Sequence, residues 1–360
     1  MQEEDNSNTN VLVTGANGYV AMRCVALLLQ QGYRVRGTVR SASRAERVRR
    51  ILRQHSDLDR LTLLEADLTQ DDGWRDAMHG CSHVLHVASP VPSAPPKNPE
   101  DVIKPARDGT LRVLKAAVEA GVERLVMTSS TSAIFYGHVR DGSRVYDEED
   151  WSLLTDEVGA YERSKTLAER AAWDYVKTLP PERGFEFVVL NPGVVLGPVY
   201  DAEFSISGEV IRKLLTRELP GCPALGWALV DVRDLAEAHL LAMRSQQAPG
   251  KRFVLATEHV PLSRIAAILA EHLEDRGFRI PQRKLPDWLL RVVALWDRAA
   301  ALTVSELHER QDLSSARAES ILGWRSRGVD AMVMDMAESM IDLGIVPPPR
   351  ATRAASRRAV

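Results

Sequence analysis

Val11-Leu12-Val13-Thr14-Gly15-Ala16-Asn17-Gly18-Tyr19-Val20-Ala21 reads as a short β-branched strand, a glycine turn and the opening of an apolar helix. Strand, Gly-rich turn and helix, in that order, are what a dinucleotide phosphate site requires. Glycine lets the backbone turn tightly and come close to a pyrophosphate. The first N–H groups of the helix then face the phosphates with the positive end of its dipole. The spacing is G-x-x-G-x-x-A, with Ala21 where a third glycine would allow helix and strand to pack closely, and alanine is small enough for that. Gly15, Asn17, Gly18, Tyr19 and Val20 are therefore expected to line the phosphate site.

Outward from this stretch, short apolar runs alternate with amphipathic segments. Val11–Thr14, Arg34–Val39, Leu61–Leu64, His83–Val87, Arg124–Ser129 and Phe185–Leu190 are β-branched or Leu-rich and bounded by Gly, Pro or polar residues, as buried strands are. Helical patterns lie between them at Tyr19–Gln30, Ala45–Gln54, Gly73–Met78, Pro99–Glu119 and Val158–Thr178. This alternation predicts an α/β fold: a Rossmann-type, doubly wound parallel sheet with helices on both faces. After Leu190 the rhythm changes, loops appear at Asn191-Pro192-Gly193 and Gly197-Pro198, and helical segments are expected to dominate from about residue 205. The expected organisation is a polar extension over 1–9 and a dinucleotide-binding domain over 10–190. A smaller C-terminal substrate-binding lobe over 191–345 follows, discontinuous and partly returning to the sheet, then a basic, disordered tail over 346–360.

The bulk numbers exclude several classes. With 360 residues the chain can bury a large core, and 45% hydrophobic and 26% charged residues with a formal net charge of −3 are ordinary for a globular protein. That balance points to neither nucleic acid nor a membrane surface as partner. Cys24, Cys81 and Cys222 are few, odd in number and far apart, which fits a reducing compartment rather than a disulfide framework. Met1–Asn10 has no basic-then-apolar signal pattern, and no apolar run approaches the ~18 residues that span a bilayer. A cytoplasmic location is the expectation.

The phosphate state of the cofactor can be argued from the second strand. An NAD site places an acid about 20 residues after the glycines to bind the ribose 2′-OH. Here the strand ends Arg36-Gly37-Thr38-Val39-Arg40, without an acid, and Arg44 follows. Arg40 and Arg44 could clamp a 2′-phosphate through charge-assisted hydrogen bonds, which predicts NADP (NADPH); a surface role for Arg44 stays open. Asp67-Leu68, after the third strand, could accept the adenine amino group, cap a helix, or do both. Val87-Ala88-Ser89-Pro90 ends the fourth strand at the sheet edge where ligands gather. Cys81 and His83 share one strand face and His86 takes the other, so no metal is expected there.

Tyr161-Glu162-Arg163-Ser164-Lys165 carries the chemistry. At this spacing a phenol and an ammonium lie on one helical face, and the ammonium is expected to lower the phenol's pKa from its ordinary ~10 toward the working pH. Such a pair is an acid-base device.

Taken in order, Thr14-Gly15-x-x-Gly18, Asp67-Leu68, Thr128-Ser129-Ser130, Tyr161-x-x-x-Lys165 and Asn191-Pro192-Gly193 resemble the extended short-chain dehydrogenase/reductases. His86-Val87-Ala88-Ser89-Pro90, Tyr146-Asp147-Glu148-x-x-Trp151 and Ser164-Lys165-Thr166-Leu167-Ala168-Glu169 resemble the branch of dihydroflavonol reductases, cinnamoyl-CoA reductases and aldehyde/ketone reductases. The likeness covers roughly 10–325 and includes Leu322-Gly323-Trp324. It implies hydride transfer to a carbonyl, with Tyr161 as general acid, Lys165 lowering its pKa and holding the nicotinamide ribose, and Ser130 orienting the carbonyl. Ser132 would take Ser130's place in a sugar-epimerase pattern. Thr128, Val87, Ala88 and Ser89 would join the cofactor site, and Pro192, Gly193 and Val194 would line the nicotinamide. Arg112 stands where many relatives have Asn, so an Asn-dependent proton relay is not expected.

Substrate contacts are expected from Pro90–Pro96, Thr131–Arg140 and Tyr200–Leu229, among them Pro90, Val91, Ser130, Thr131, Phe135, Tyr136, Tyr161, Phe204, Leu225 and Trp227. Few fixed charges among these imply a moderately apolar carbonyl compound as small-molecule partner. The expected function is an NADPH-dependent carbonyl reductase, monomeric or homodimeric. A nucleotide-sugar epimerase or dehydratase with retained NAD, and a non-catalytic NADP-binding sensor, are the other readings.

Overall fold

The computed structural model describes residues 6–90, 98–155, 157–296 and 303–349. Its first half alternates as expected: β1 (Asn10–Val13), α1 (Tyr19–Gln30), β2 (Arg34–Val39), α2 (Ala42–Leu52), β3 (Leu61–Glu65), α3 (Trp74–Met78), β4 (His83–His86), α4 (Glu100–Glu119), β5 (Arg124–Thr128), α5 (Ala160–Lys177) and β6 (Glu186–Pro192). The second half adds β7 (Val194–Leu196), α6 (Glu209–Leu215), β8 (Gly226–Asp231), α7 (Val232–Arg244), β9 (Arg252–Leu255), β10 (His259–Pro261), α8 (Leu262–Leu273), α9 (Asp287–Val293) and α10 (Val329–Asp342).

Seven strands form one parallel sheet in the order β3-β2-β1-β4-β5-β6-β9. From β1 the chain winds outward through β2 and β3, then crosses back to β4 and winds the other way. The reversal leaves a crevice at the C-terminal ends of β1 and β4, the place where such sheets take ligands. The central strands β1, β5 and β6 read as apolar runs because both faces are covered. Val11, Val13, Leu85, Val126, Val188 and Leu190 point into one core cluster with α1, α2 and α7. Leu12, Val84, Leu125, Met127, Phe187 and Val189 point into the opposite cluster with α3, α4 and α5.

A second sheet, β10-β8-β7, mixes a parallel pair with an antiparallel one. It rests on a third cluster built from α6, α8 and α10, including Ile211, Leu214, Ile265, Leu269, Met332 and Met336. Helices do not dominate here as fully as the sequence suggested. β9 pairs with β6 and extends the main sheet, yet Arg252-Phe253-Val254-Leu255 is too short for periodicity to separate strand from helix. The Leu322-Gly323-Trp324 motif also returns to the main core: Leu322 and Trp324 pack in the first cluster, and the Trp324 indole donates to the Asp234 carbonyl at 3.0 Å. Among the described residues, no helix is long and apolar enough to cross a membrane.

The α5 segment is rich in Ala, Glu, Arg, Lys and Leu, all good helix formers. Its small buried residues Ser164, Ala168 and Ala172 let it approach α4, which offers Ala106 and Ala117. Close packing fixes the helix that carries Tyr161 and Lys165.

Gly37, in β2, shows how tightly the nucleotide turn is seated. A Cβ there would lie 2.8 Å from the Ala16 Cβ and 2.8 Å from Leu63 Cδ2. Gly37→Val should therefore destabilise the fold by about 1–3 kcal/mol through overpacking. A urea midpoint equal to that of the parent would show that Ala16 and Leu63 yield without cost.

Candidate active site

The crevice is closed by one hydroxyl. Thr14 Oγ1 lies 2.9 Å from His86 Nδ1 and accepts from the Val87 and Ala88 amides at 3.1 and 2.9 Å, tying the end of β1 to the end of β4. Gly15 then turns at φ +66°, and a Cβ on it would press on Ala88 at 3.0 Å. Gly18 is the N-cap of α1 and offers no side-chain cap, so the first amides of the helix stay open toward the crevice. A narrow turn with a positive φ, closing on open helix amides, suits a pyrophosphate. The Tyr19 ring turns away from this turn, its hydroxyl donating to the Gly197 carbonyl at 2.7 Å, so of Tyr19 only the backbone faces the phosphate position.

At the adenosine end, Arg40 is exposed at the tip of β2. It lies close enough to Asp67 to help lower that carboxyl's pKa, behind the larger effect of the Thr69 hydrogen bonds. Asp67 accepts from the Thr69 amide at 2.8 Å and hydroxyl at 2.7 Å within a turn; it is not a helix cap, since the N-cap of α3 is Gly73, and Leu68 beside it packs against Gly109. Arg44 pairs with Glu203 from the loop after β7, in line with the surface role left open for it. The residue sequence reasoning missed is Arg47, one helical turn on. It is held by Asp201 through two 2.7 Å bonds and reaches the Asn17 carbonyl of the glycine turn at 3.2 Å. Its position on the inner face of amphipathic α2 was the available signal. Arg112 donates to the Leu68 carbonyl and pairs with Asp71, bracing the same loop.

Across the crevice, the Ser130 hydroxyl lies close enough to the Tyr161 phenol to oppose the rise in its pKa, and it accepts from the Ser132 amide at 3.1 Å. Lys165 Nζ lies 5.9 Å from the centre of the Tyr161 ring. Ser129 turns elsewhere, to Glu169 at 2.5 Å, and the Ser132 carbonyl accepts from the Ser152 hydroxyl at 2.8 Å. Of the three serines it is therefore Ser130 that meets the phenol.

The electrostatics depart from the simple expectation. Burial raises the Tyr161 pKa to about 12, Glu162 adds to the rise, and the Ser130 hydrogen bond opposes it. Burial also lowers Lys165 to about 8, with Glu169 pulling the other way. Burial is the largest influence on the phenol and Lys165 is not among the groups that shift it, so the chain by itself keeps Tyr161 a neutral acid.

Two buried histidines flank the pair. Burial, then Lys165, lowers His86 to about 3, so it stays neutral against Thr14. His239 accepts the Thr128 hydroxyl at 2.6 Å and donates to the Leu235 carbonyl at 2.7 Å. The half-buried Thr128 at the end of β5 thus has its hydroxyl engaged by His239. At the β6–β7 corner Pro192 is buried, Val194 is half-buried, and the Gly193 amide donates to Leu255 at 3.0 Å. A Cβ on Gly193 would meet the Ala228 carbonyl at 2.4 Å, so glycine is needed for this close approach.

The expected substrate wall is only partly placed at the cleft. Phe135 is 1% exposed in a core cluster with Ile134, Tyr146 and Val254, stacked on Tyr136; it is a packing residue, because the short helix after Ser130 turns its ring inward. Thr131 is buried, Ser89 and Pro90 are half-buried, and Phe204 and Trp227 pack part-buried on the second sheet's core. Val91 and the rest of 91–97 lie outside the described residues. Nearer Tyr161, Tyr136 carries Arg140 over its ring at 4.7 Å, and Arg140 pairs with Glu306 and Glu309.

A parallel sheet with a phosphate-suited turn at its switch point and a serine, tyrosine and lysine along the facing edge defines a dinucleotide-dependent oxidoreductase. The model of the NAD dependent epimerase/dehydratase family matches residues 11–256, and the chain belongs to that family, in the extended short-chain dehydrogenase/reductase branch with the dihydroflavonol and cinnamoyl-CoA reductases. It is 38% identical to cinnamoyl-CoA reductase 1 of Arabidopsis thaliana over 72% of this chain and 74% of that one. It is 34% identical to dihydroflavonol 4-reductase of Zea mays, with 76% of each chain covered. Its fold matches the yeast methylglyoxal/isovaleraldehyde reductase Gre2, solved with NADPH, at a TM-score of 0.78 and 26% identity over 93% of this chain and 98% of that one.

The neutral state of Tyr161 can be checked directly. An ordinary tyrosine ionises near pH ~10. The ultraviolet phenolate difference between parent and Tyr161→Phe, both without cofactor, should stay flat through that region and rise only toward about 12. A difference that grows near the ordinary value would show that Tyr161 is not desolvated.

Proposed function

We propose that this protein is an NADPH-dependent reductase of aldehydes or ketones, with Ser130, Tyr161 and Lys165 as its catalytic residues. The observation that carries the reading is the grouping of Ser130, Tyr161 and Lys165, with Lys165 Nζ 5.9 Å from the Tyr161 ring centre, across the crevice from the glycine turn.

Gly15, Gly18 and the open amides of α1 would hold the pyrophosphate, Arg40 the 2′-phosphate, and Asp67 and Leu68 the adenine side. Arg44 and Arg47 stand behind Arg40 with their charges partly answered by Glu203 and Asp201. Val87, Ala88, Ser89, Pro192, Gly193 and Val194 would line the rest of the cofactor. When bound, NADPH supplies the hydride. Ser130 donates a hydrogen bond to the substrate carbonyl oxygen and so fixes the carbonyl beside the phenol. Tyr161 gives its proton to that oxygen as negative charge develops on it. Lys165, in its ammonium form, then stabilises the phenolate left behind. A raised phenol pKa serves this direction, because the acid is fully protonated at neutral pH.

The substrate side is assigned to β7, β8, β10, α6, α8 and α10, within residues 191–345, with Phe204 and Trp227 facing it and Thr131 and Pro90 bordering it. These residues bring little fixed charge, which favours a moderately apolar carbonyl compound.

The test is absorbance loss of NADPH, and separately NADH, over a panel of aldehydes, diketones, keto esters and flavonoid ketones. Carbonyl-dependent oxidation should favour NADPH, and Tyr161→Phe should lose about 10²–10⁴ in kcat, the contribution typical of general acid catalysis. Arg40→Glu should abolish the preference for NADPH. No turnover, with NAD retained in the purified protein, would instead favour an epimerase or dehydratase.

A further inference from the structure

Glu169 stands one helical turn beyond Lys165 and two beyond Tyr161, so α5 presents the three along one face. It is fully buried, at 0% exposure, and both of its oxygens are in use. Oε2 accepts from the Ser129 hydroxyl at 2.5 Å and from Asn191 Nδ2 at 2.8 Å. Oε1 accepts from Arg252 Nε at 2.6 Å and from the Trp173 indole at 3.4 Å. Asn191 Nδ2 also donates to the Ser130 carbonyl at 3.2 Å. The strand end Ser129-Ser130 is thus held from two elements: Glu169 of α5 accepts from the Ser129 hydroxyl, and Asn191 of β6 bonds both Glu169 and the Ser130 carbonyl.

We propose that Glu169 is a positioning residue of the active site, a single buried carboxylate that fixes Ser130 against Tyr161 and supports the Lys165 ammonium. This rests on the Ser130, Tyr161, Lys165 reading above. Stability alone does not explain the arrangement, since a buried ion pair adds little over well-packed apolar residues of the same size. What it adds is direction: a carboxylate accepts along fixed lone pairs from Ser129, Asn191 and Arg252, which come from β5, β6 and β9. Arg252 is itself fixed, its Nη1 donating to the Glu148 and Asp150 carbonyls at 2.9 and 2.7 Å and its guanidinium lying 3.8 Å from the Trp151 ring centre.

The charge matters as well as the bonds. Burial works against the Lys165 ammonium, and Glu169 is the group that opposes it. From β4, neutral His86 faces Lys165 without adding charge, and Tyr161 on the same helix is neutral too. α4 packs on α5 and carries Lys104, Arg107 and Asp108, none of which contributes to the state of Lys165. Arg252 lies on the far side of Glu169 and answers its charge from there.

The experiment uses the full chain and two variants. Glu169→Gln keeps the shape and removes the charge; Glu169→Leu/Arg252→Met removes the ion pair as a unit, leaving no unpaired buried charge if the first variant folds poorly. The titration of Lys165 is read from the resonances of isotope-labelled lysines, assigned by loss in Lys165→Met, and needs no turnover. Lys165 should titrate near about 8 in the parent. In both variants its midpoint should fall by about one unit, since less negative charge faces it. The alkaline limb of kcat should move to lower pH with it, while KM for NADPH changes less than kcat. A midpoint in a folded variant that coincides with the parent's would overturn the proposal. Absence of carbonyl-dependent NADPH oxidation in the parent would sink the reductase reading instead, and the lysine titration would still decide the role of Glu169.

Discussion

The buried pair of Glu169 and Arg252 is the constraint around which the reacting edge is built. Burying either charge alone would be very costly, so each must find its partner within the fold and bond most of its remaining groups, Arg252 Nη2 being left without a hydrogen-bond partner. Meeting that requirement draws α5, the ends of β5 and β6, the edge strand β9 and the Glu148–Asp150 loop to one point. Tyr161 and Lys165 follow because they ride the same helical face, and Ser130 follows because its carbonyl is gripped by Asn191. The site is positioned from behind, by groups that touch neither face of the crevice.

The opposite half of the site depends on backbone conformation rather than charge. Gly15 turns because nothing but glycine fits against Ala88, and the Thr14 hydroxyl holds β1 to β4 where the sheet reverses. Further out, the loop after β7 reaches back over this half. Tyr19 bonds to Gly197, Arg23 donates to the Pro198 carbonyl and lies over Tyr200, and Arg47 grips Asp201. The loop that leaves the substrate side is thereby strapped to the two helices that frame the nucleotide turn. One element borders both halves of the site.

The motifs were legible because each is local. The glycine turn, the Tyr161–Lys165 spacing and the alternating apolar runs depend on neighbours within one strand or one helix, where the periods of 2 and 3.6 apply. The role of Arg44 was left open, and Arg47 overlooked, because their partners Glu203 and Asp201 lie far away in sequence and close only through the fold. Phe135 lies in a core cluster rather than on the cleft for a related reason. Its ring is turned by Tyr146 and the rest of its cluster, with Tyr136 stacked on it, which no spacing rule encodes.

By itself the sequence determined the parallel α/β architecture, the location of the nucleotide turn, the absence of an acid after β2, and which helix carries the tyrosine and lysine. Each of these is set by short-range backbone preference and side-chain period. Tertiary structure alone decided which serine meets the phenol, which arginines are already paired, and how far burial moves Tyr161 and Lys165. Those outcomes depend on desolvation and on contacts between distant segments, and both exist only once the chain has folded.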